Sequence, residues 1–250
     1  MRTVCGWARR AQTLVRAYRP AVVPVAAVRP LAAGRNPLLT DRLGEQRRAG
    51  VTLDQMDGTT CGSAVLLALA AWADPAETER LDGPGDHRAG GAAMVGARGA
   101  VGGAAPAPGA SAVFAARYDA RQKQVHRESA RFWPRALGTP PWGMVAWLRR
   151  NVPAAGPYRV RLVDDTCPSD LARIVDAVEV ALRVGRPVPL LVGRLVPRHY
   201  VMAVGLQAGG WKVYEPTSGR IQALDPALIR RHALAPVLGF PRLHAAFLPT

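Results

Sequence analysis

The most distinctive pattern along the chain is an apolar stretch from Cys61 to Trp72, interrupted only by Gly62 and Ser63. Its length favours a helix over a strand, and a helix apolar on every side belongs in the middle of a core. Thr59 and Thr60 stand ahead of it as N-cap residues, and Asp74-Pro75 closes it. Two further helices are predicted over residues 112–132 and 140–150, the second opened by Thr139-Pro140-Pro141. A strand near Tyr158–Val163 follows, then a helix from about Ser169 to Val184, ended by Gly185. From there the pattern turns to strands. Pro187–Leu195 and His199–Leu206 are strand-like, and Gln207-Ala208-Gly209-Gly210 is a turn that folds the chain back onto Trp211–Tyr214 as a hairpin. Ile221–Leu224 and Leu243–Leu248 are further strands around a short helix at 226–233. Helices first and antiparallel strands afterwards predict an α+β fold. No internal repeat is visible.

Two segments lack any periodicity. Residues 1–50 are rich in Pro and Arg, and residues 83–110 hold nine glycines. The first reads as a flexible basic arm and the second as a mobile loop within a folded domain of residues 51–250. The Gly96, Gly99, Gly102 spacing follows no strand, so it is not a dinucleotide fingerprint.

Composition sharpens the picture chiefly by exclusion. Ala, Arg, Gly and Pro number 44, 31, 25 and 22, against two lysines, so Ala and Arg abundance reflects a general bias rather than a site. Neither Lys123 nor Lys212 follows a glycine, which removes a nucleotide-binding P-loop. No apolar run reaches the roughly 18 residues of a membrane span. Cys5, Cys61 and Cys167 offer no disulfide framework and no paired metal spacing, so neither a metal nor another cofactor is expected. A reducing, cytoplasmic setting suits such cysteines. Secretion is the alternative, but the apolar stretch at 21–28 lies far from the start and contains Pro24. Of the net charge of +15, residues 1–50 carry +8, from ten Arg against Asp41 and Glu45. Such an arm is suited to weak electrostatic contact with anionic surfaces. No zinc finger, RNA-binding motif or helix-turn-helix points to a specific nucleic-acid partner.

One cysteine stands apart. Cys61 falls at the first turn of the most buried helix, where unpaired N–H groups and the helix dipole favour a thiolate. Six residues upstream, Gln55 carries an amide able to donate to a developing oxyanion beside the Cys61 N–H. His199 begins a strand 138 residues after Cys61, and Glu215 follows the return strand of the hairpin, close enough to orient the imidazole. His87, His126, His232 and His244 stand alone, and Cys167 lies at a helix start.

Gln55-Met56-Asp57-Gly58-Thr59-Thr60-Cys61-Gly62, then His199-Tyr200-Val201 and Tyr214-Glu215-Pro216, resembles the papain-like cysteine peptidase superfamily. Within it the chain is most similar to the branch of bacteriocin double-glycine leader peptidases and their bacterial stand-alone relatives. The resemblance spans residues 50–250 in element order, through a few short motifs. It implies a papain-like fold in which Cys61 is the nucleophile, His199 the base, Glu215 the third member and Gln55 the oxyanion donor, acting on a peptide or protein substrate. Two features depart from the pattern: the third member is Glu rather than Asp, and the 83–110 segment has no counterpart. A catalytically silent papain-like binding module and an acyl or amide transferase are the competing readings, since one fold hosts many reactions.

Overall fold

The structure is a computed structural model that describes residues 1–16, 31, 37–83 and 109–250. Its centre is one antiparallel sheet with helices on both faces, an α+β architecture. Seven strands take part: β1 (Gly44–Glu45), β4 (Tyr158–Leu162), β5 (Val188–Gly193), β6 (Pro197–Gln207), β7 (Gly210–Glu215), β8 (Arg220–Leu224) and β9 (Arg242–Pro249). They lie in the order β1-β8-β7-β6-β5-β9-β4. β2 (Arg47–Arg48) and β3 (Val51–Thr52) form a small separate ribbon.

Period-two alternation divides the sheet residues between two cores. Leu191, Tyr200, Met202, Tyr214 and Phe247 face α2 (Cys61–Ala73), α4 (Ala110–Ser129) and α5 (Pro141–Asn151). Leu190, Val192, Val201, Ala203 and Trp211 instead meet α6 (Pro168–Arg183). With both faces covered, every residue of β5 is buried, which is why that strand reads as a continuous apolar run. Eleven residues of α2 are buried, as its all-round apolarity requires. Truncating Leu66 or Leu67, both without exposure, costs about 2–5 kcal/mol.

The hairpin forms at the expected turn, with Gln207 paired to Gly210 and Met202 to Tyr214. Several details differ from the sequence reading. A helix that the pattern did not predict, α3 (Pro75–Asp82), follows α2 directly, because Asp74 ends one helix and caps the next by accepting from the Ala76 N–H. The Thr60 hydroxyl makes no cap bond to α2 but exchanges hydrogen bonds with the Asp57 backbone. Short helices α7 (Ala227–Arg230) and α8 (Ala235–Leu238) fill the connection to β9.

The largest correction concerns the expected basic arm. Residues 4–16 form α1 (Val4–Arg16), tied to the body through Arg2–Asp164 and Thr3–Asp165 contacts. Leu38 and Leu39 are buried in the α2 core and β1 pairs with β8, so the fold does not begin at residue 51. Single polar contacts spanning 162 residues leave no periodic trace in a sequence. Residues 17–30 and 32–36 of that arm, and all of the Gly-rich segment but Gly83, Gly109 and Ala110, lie outside the described residues.

Candidate active site

The chain between β3 and α2 is held from two directions. The Gln55 N–H donates to the Pro216 carbonyl, and Gln122 of α4 receives the Met56 N–H and donates to the Asp54 carbonyl. Tyr214 of β7 donates its hydroxyl to the Leu53 carbonyl. The segment that delivers Cys61 is therefore fastened to the strand that delivers Glu215. A tight turn follows, in which Asp57 accepts from the Thr59 N–H and hydroxyl, and Thr60 bonds back to Asp57. Cys61 opens α2 from this turn. Its own N–H, like those of Gly62 and Ser63, lies in the first helical turn, where no intrahelical acceptor exists.

Gly62 is a point of close approach between α2, Thr139 and β6. A Cβ there would lie 2.8 Å from the Thr139 Cβ and 3.2 Å from Cδ2 of Tyr200. Tyr200 is the neighbour of His199 on β6 and donates to the Thr139 carbonyl. A side chain at position 62 would push the helix that begins at Cys61 away from the strand carrying His199.

His199 Nε2 lies 2.8 Å from Oε1 of Glu215. The Cys61 thiol acts on the same ring, whose other nitrogen, with Nε2 taken by Glu215, is Nδ1. Cys61, His199 and Glu215 are all buried, and the Phe240 ring covers the imidazole at 5.8 Å. Burial works against the charged imidazole, but the hydrogen bonds to Cys61 and Glu215 outweigh it and push the His199 pKa up to about 9. Burial opposes the Glu215 charge as well. Hydrogen bonds from His199, Ser218 and Thr217 reverse that effect and hold the carboxyl at about 2.

Glu215 accounts for its own extra methylene. Oε1 also accepts from the Thr217 N–H, while Oε2 accepts from the Ser218 N–H at 2.9 Å and the Ser218 hydroxyl at 2.7 Å. The side chain curls back over its own Glu-Pro-Thr-Ser turn, and the carboxylate is fixed at both oxygens. Thr217 and Ser218 were not among the residues singled out by the sequence. Two hydroxyl residues directly after an acid-Pro pair are nevertheless a turn signal that could have pointed to them.

Gln55 sits beside this turn, with both ends of its amide engaged there. Its Nε2 donates to the Asp57 carbonyl at 2.8 Å, and its Oε1 accepts from Thr217 at 3.5 Å. Neither bond involves Cys61 or His199.

The other cysteines and histidines lie elsewhere. Burial, with the nearby charge of Asp165, raises the Cys5 thiol to about 11. Cys167 is half-buried at the N-cap position of α6, and its contact with the Ser169 hydroxyl lowers its pKa. His126 and His244 are buried, His232 meets the Asp165 carbonyl, and His87 lies outside the described residues. Among the described residues no three His, Cys, Asp or Glu side chains gather as a metal site requires, and no helix is long and apolar enough to cross a membrane. In comparisons with known proteins, no family model, no curated protein and no solved structure matches this chain.

Proposed function

We propose that the chain is a papain-like cysteine hydrolase that cleaves a peptide or amide bond through a thioacyl-enzyme at Cys61. The observation that carries this reading is the buried His199–Glu215 hydrogen bond together with the buried Cys61 thiol that helps raise the His199 pKa, the three coming from a helix start, a strand start and the end of the return strand. His199 takes the Cys61 thiol proton, the sulfur attacks the substrate carbonyl carbon, a C–S bond forms, and the carbonyl π pair moves onto oxygen. The Cys61 N–H and the spare Gln55 N–H are the donors for that oxyanion. Collapse breaks the C–N bond as His199 hands its proton to the departing amine. His199 then takes a proton from water, whose oxygen attacks the thioester and expels the Cys61 sulfur. Glu215 stays ionised throughout and holds the ring.

A silent binding module is the competing reading, favoured by the engagement of the Gln55 amide with Asp57. Turnover separates the two. A peptide library incubated with the parent chain should yield cleavage products that Cys61→Ala does not give. In Cys167→Ser, which removes the competing accessible thiol, iodoacetamide at mildly acid pH should modify Cys61 ahead of Cys5. Absence of cleavage together with labelling of Cys61 only after denaturation would overturn the hydrolase reading.

A further inference from the structure

A helix lying on a globular protein normally turns its apolar stripe toward the core. α1 does the opposite. Its inner face consists of Thr3, Cys5, Gly6 and Arg9, which meet the turn between β4 and α6. Thr3 hydrogen-bonds Asp165 through both its N–H and its hydroxyl, Arg2 pairs with Asp164, and Arg9 faces Asp170. Gly6 approaches so closely that a Cβ there would fall 2.7 Å from an Asp165 oxygen. The opposite face carries Val4, Trp7, Ala8, Ala11 and Leu14, all exposed, with Val4 at 56%, Trp7 at 62% and Leu14 at 74%. At 100° per residue these five fall within one stripe about 120° wide.

The stripe continues onto the sheet. The Val4 N–H donates to the Leu195 carbonyl at the tip of the β5–β6 hairpin, where Leu195 and Val196 are themselves exposed. Arginines accompany the patch: Arg10 on α1 and Arg194 and Arg198 on the hairpin are exposed, and Arg2, paired with Asp164, stacks 5.0 Å from the Trp7 ring. The acidic groups beneath α1 point the other way and are engaged by Arg and Thr. An apolar stripe with a tryptophan, rimmed by arginines on a chain of net charge +15, has the chemistry of a bilayer interface.

We infer that α1 and the tip of the β5–β6 hairpin form a docking surface for an anionic phospholipid bilayer, with α1 lying in the interface plane. Trp7, Val4 and Leu14 enter the boundary between headgroups and acyl chains, and the bordering arginines meet anionic headgroups. This surface stands independently of the chemistry at Cys61. His199 follows the hairpin tip closely in sequence, so docking would bring the candidate site near the bilayer.

Co-sedimentation of the full chain with vesicles of phosphatidylcholine and phosphatidylserine at low salt tests this. The parent should bind those vesicles, bind pure phosphatidylcholine more weakly, and lose affinity as salt rises. Trp7→Ser with Leu14→Ser, at two exposed positions where circular dichroism should stay unchanged, should weaken binding at least about tenfold. Failure of the parent to bind anionic vesicles would overturn the inference. Binding by the double variant as tight as the parent's would overturn it too, because charge alone, as toward any acidic protein, would then explain the attraction.

Discussion

Two buried carboxylates in this molecule are built from nearly the same parts. Glu215 accepts from the N–H groups of Thr217 and Ser218, the Ser218 hydroxyl and His199. Asp165 accepts from the Thr3 N–H, the Thr3 hydroxyl and Arg242. Both carboxyls are held below the ordinary range for one reason: burial would raise them, and donated hydrogen bonds outweigh it. The difference lies in the cation. A guanidinium is a poor proton donor and acceptor, so the Asp165–Arg242 cluster is a rivet that fixes the N-terminal segment to the sheet. His199 can give up a proton, and its surroundings include the Cys61 thiol. Proton movement becomes possible at one cluster and not at the other.

The widest separation should come from removing the reactive atom at one cluster and the charge at the other. Cys61→Ala should lower turnover by at least about a thousandfold while leaving the chain folded. Asp165→Ala should leave the rate per folded molecule unchanged but lower stability by about 3 kcal/mol, read from urea unfolding, because Arg242 and Thr3 lose their common partner. An inactive but fully stable Asp165→Ala chain would remove the distinction.

Glu215→Gln should reduce kcat/KM by about 10–100-fold, since the acid orients the base rather than reacting. The alkaline limb of the rate profile, near pH 9 in the parent as His199 loses its proton, should move to lower pH when the neighbouring negative charge is gone. Stability follows the same pair. His199, raised from its ordinary 6.5, favours the fold fully below that pH and loses this contribution as pH climbs through about 9. Glu215, lowered from its ordinary 4.5, favours the fold above that pH and loses this contribution as pH falls through about 2. Unfolding measured across pH should therefore show both contributions intact between 4.5 and 6.5, and Glu215→Gln should flatten both limbs.

The smallest effect belongs to Ser218. Ser218→Ala removes one hydrogen bond to an ionised group, worth about 1.5 kcal/mol, or roughly a tenfold loss in kcat/KM. Ser218→Thr, which keeps the hydroxyl, should restore most of it. Equal losses in both variants would assign Ser218 to the turn alone.

The local elements were legible because each is written in neighbouring residues. The apolar runs of α2 and β5, the Gly209-Gly210 turn and the strand residues of β6 are each written in adjacent positions. Cys61, His199 and Glu215 could be picked out for the same reason: one starts a helix and the others flank a hairpin whose length is readable. Tertiary structure alone decided that Glu215 folds back onto Ser218 and Thr217, that the Gln55 amide is drawn to Asp57, and that α1 fastens to Asp164, Asp165 and Asp170 with its apolar stripe outward. Each of these depends on a few polar atoms meeting at hydrogen-bond distance, the last of them across 162 residues of chain. Such contacts have no periodicity, and a single rotamer or a slight shift of the backbone decides whether they form.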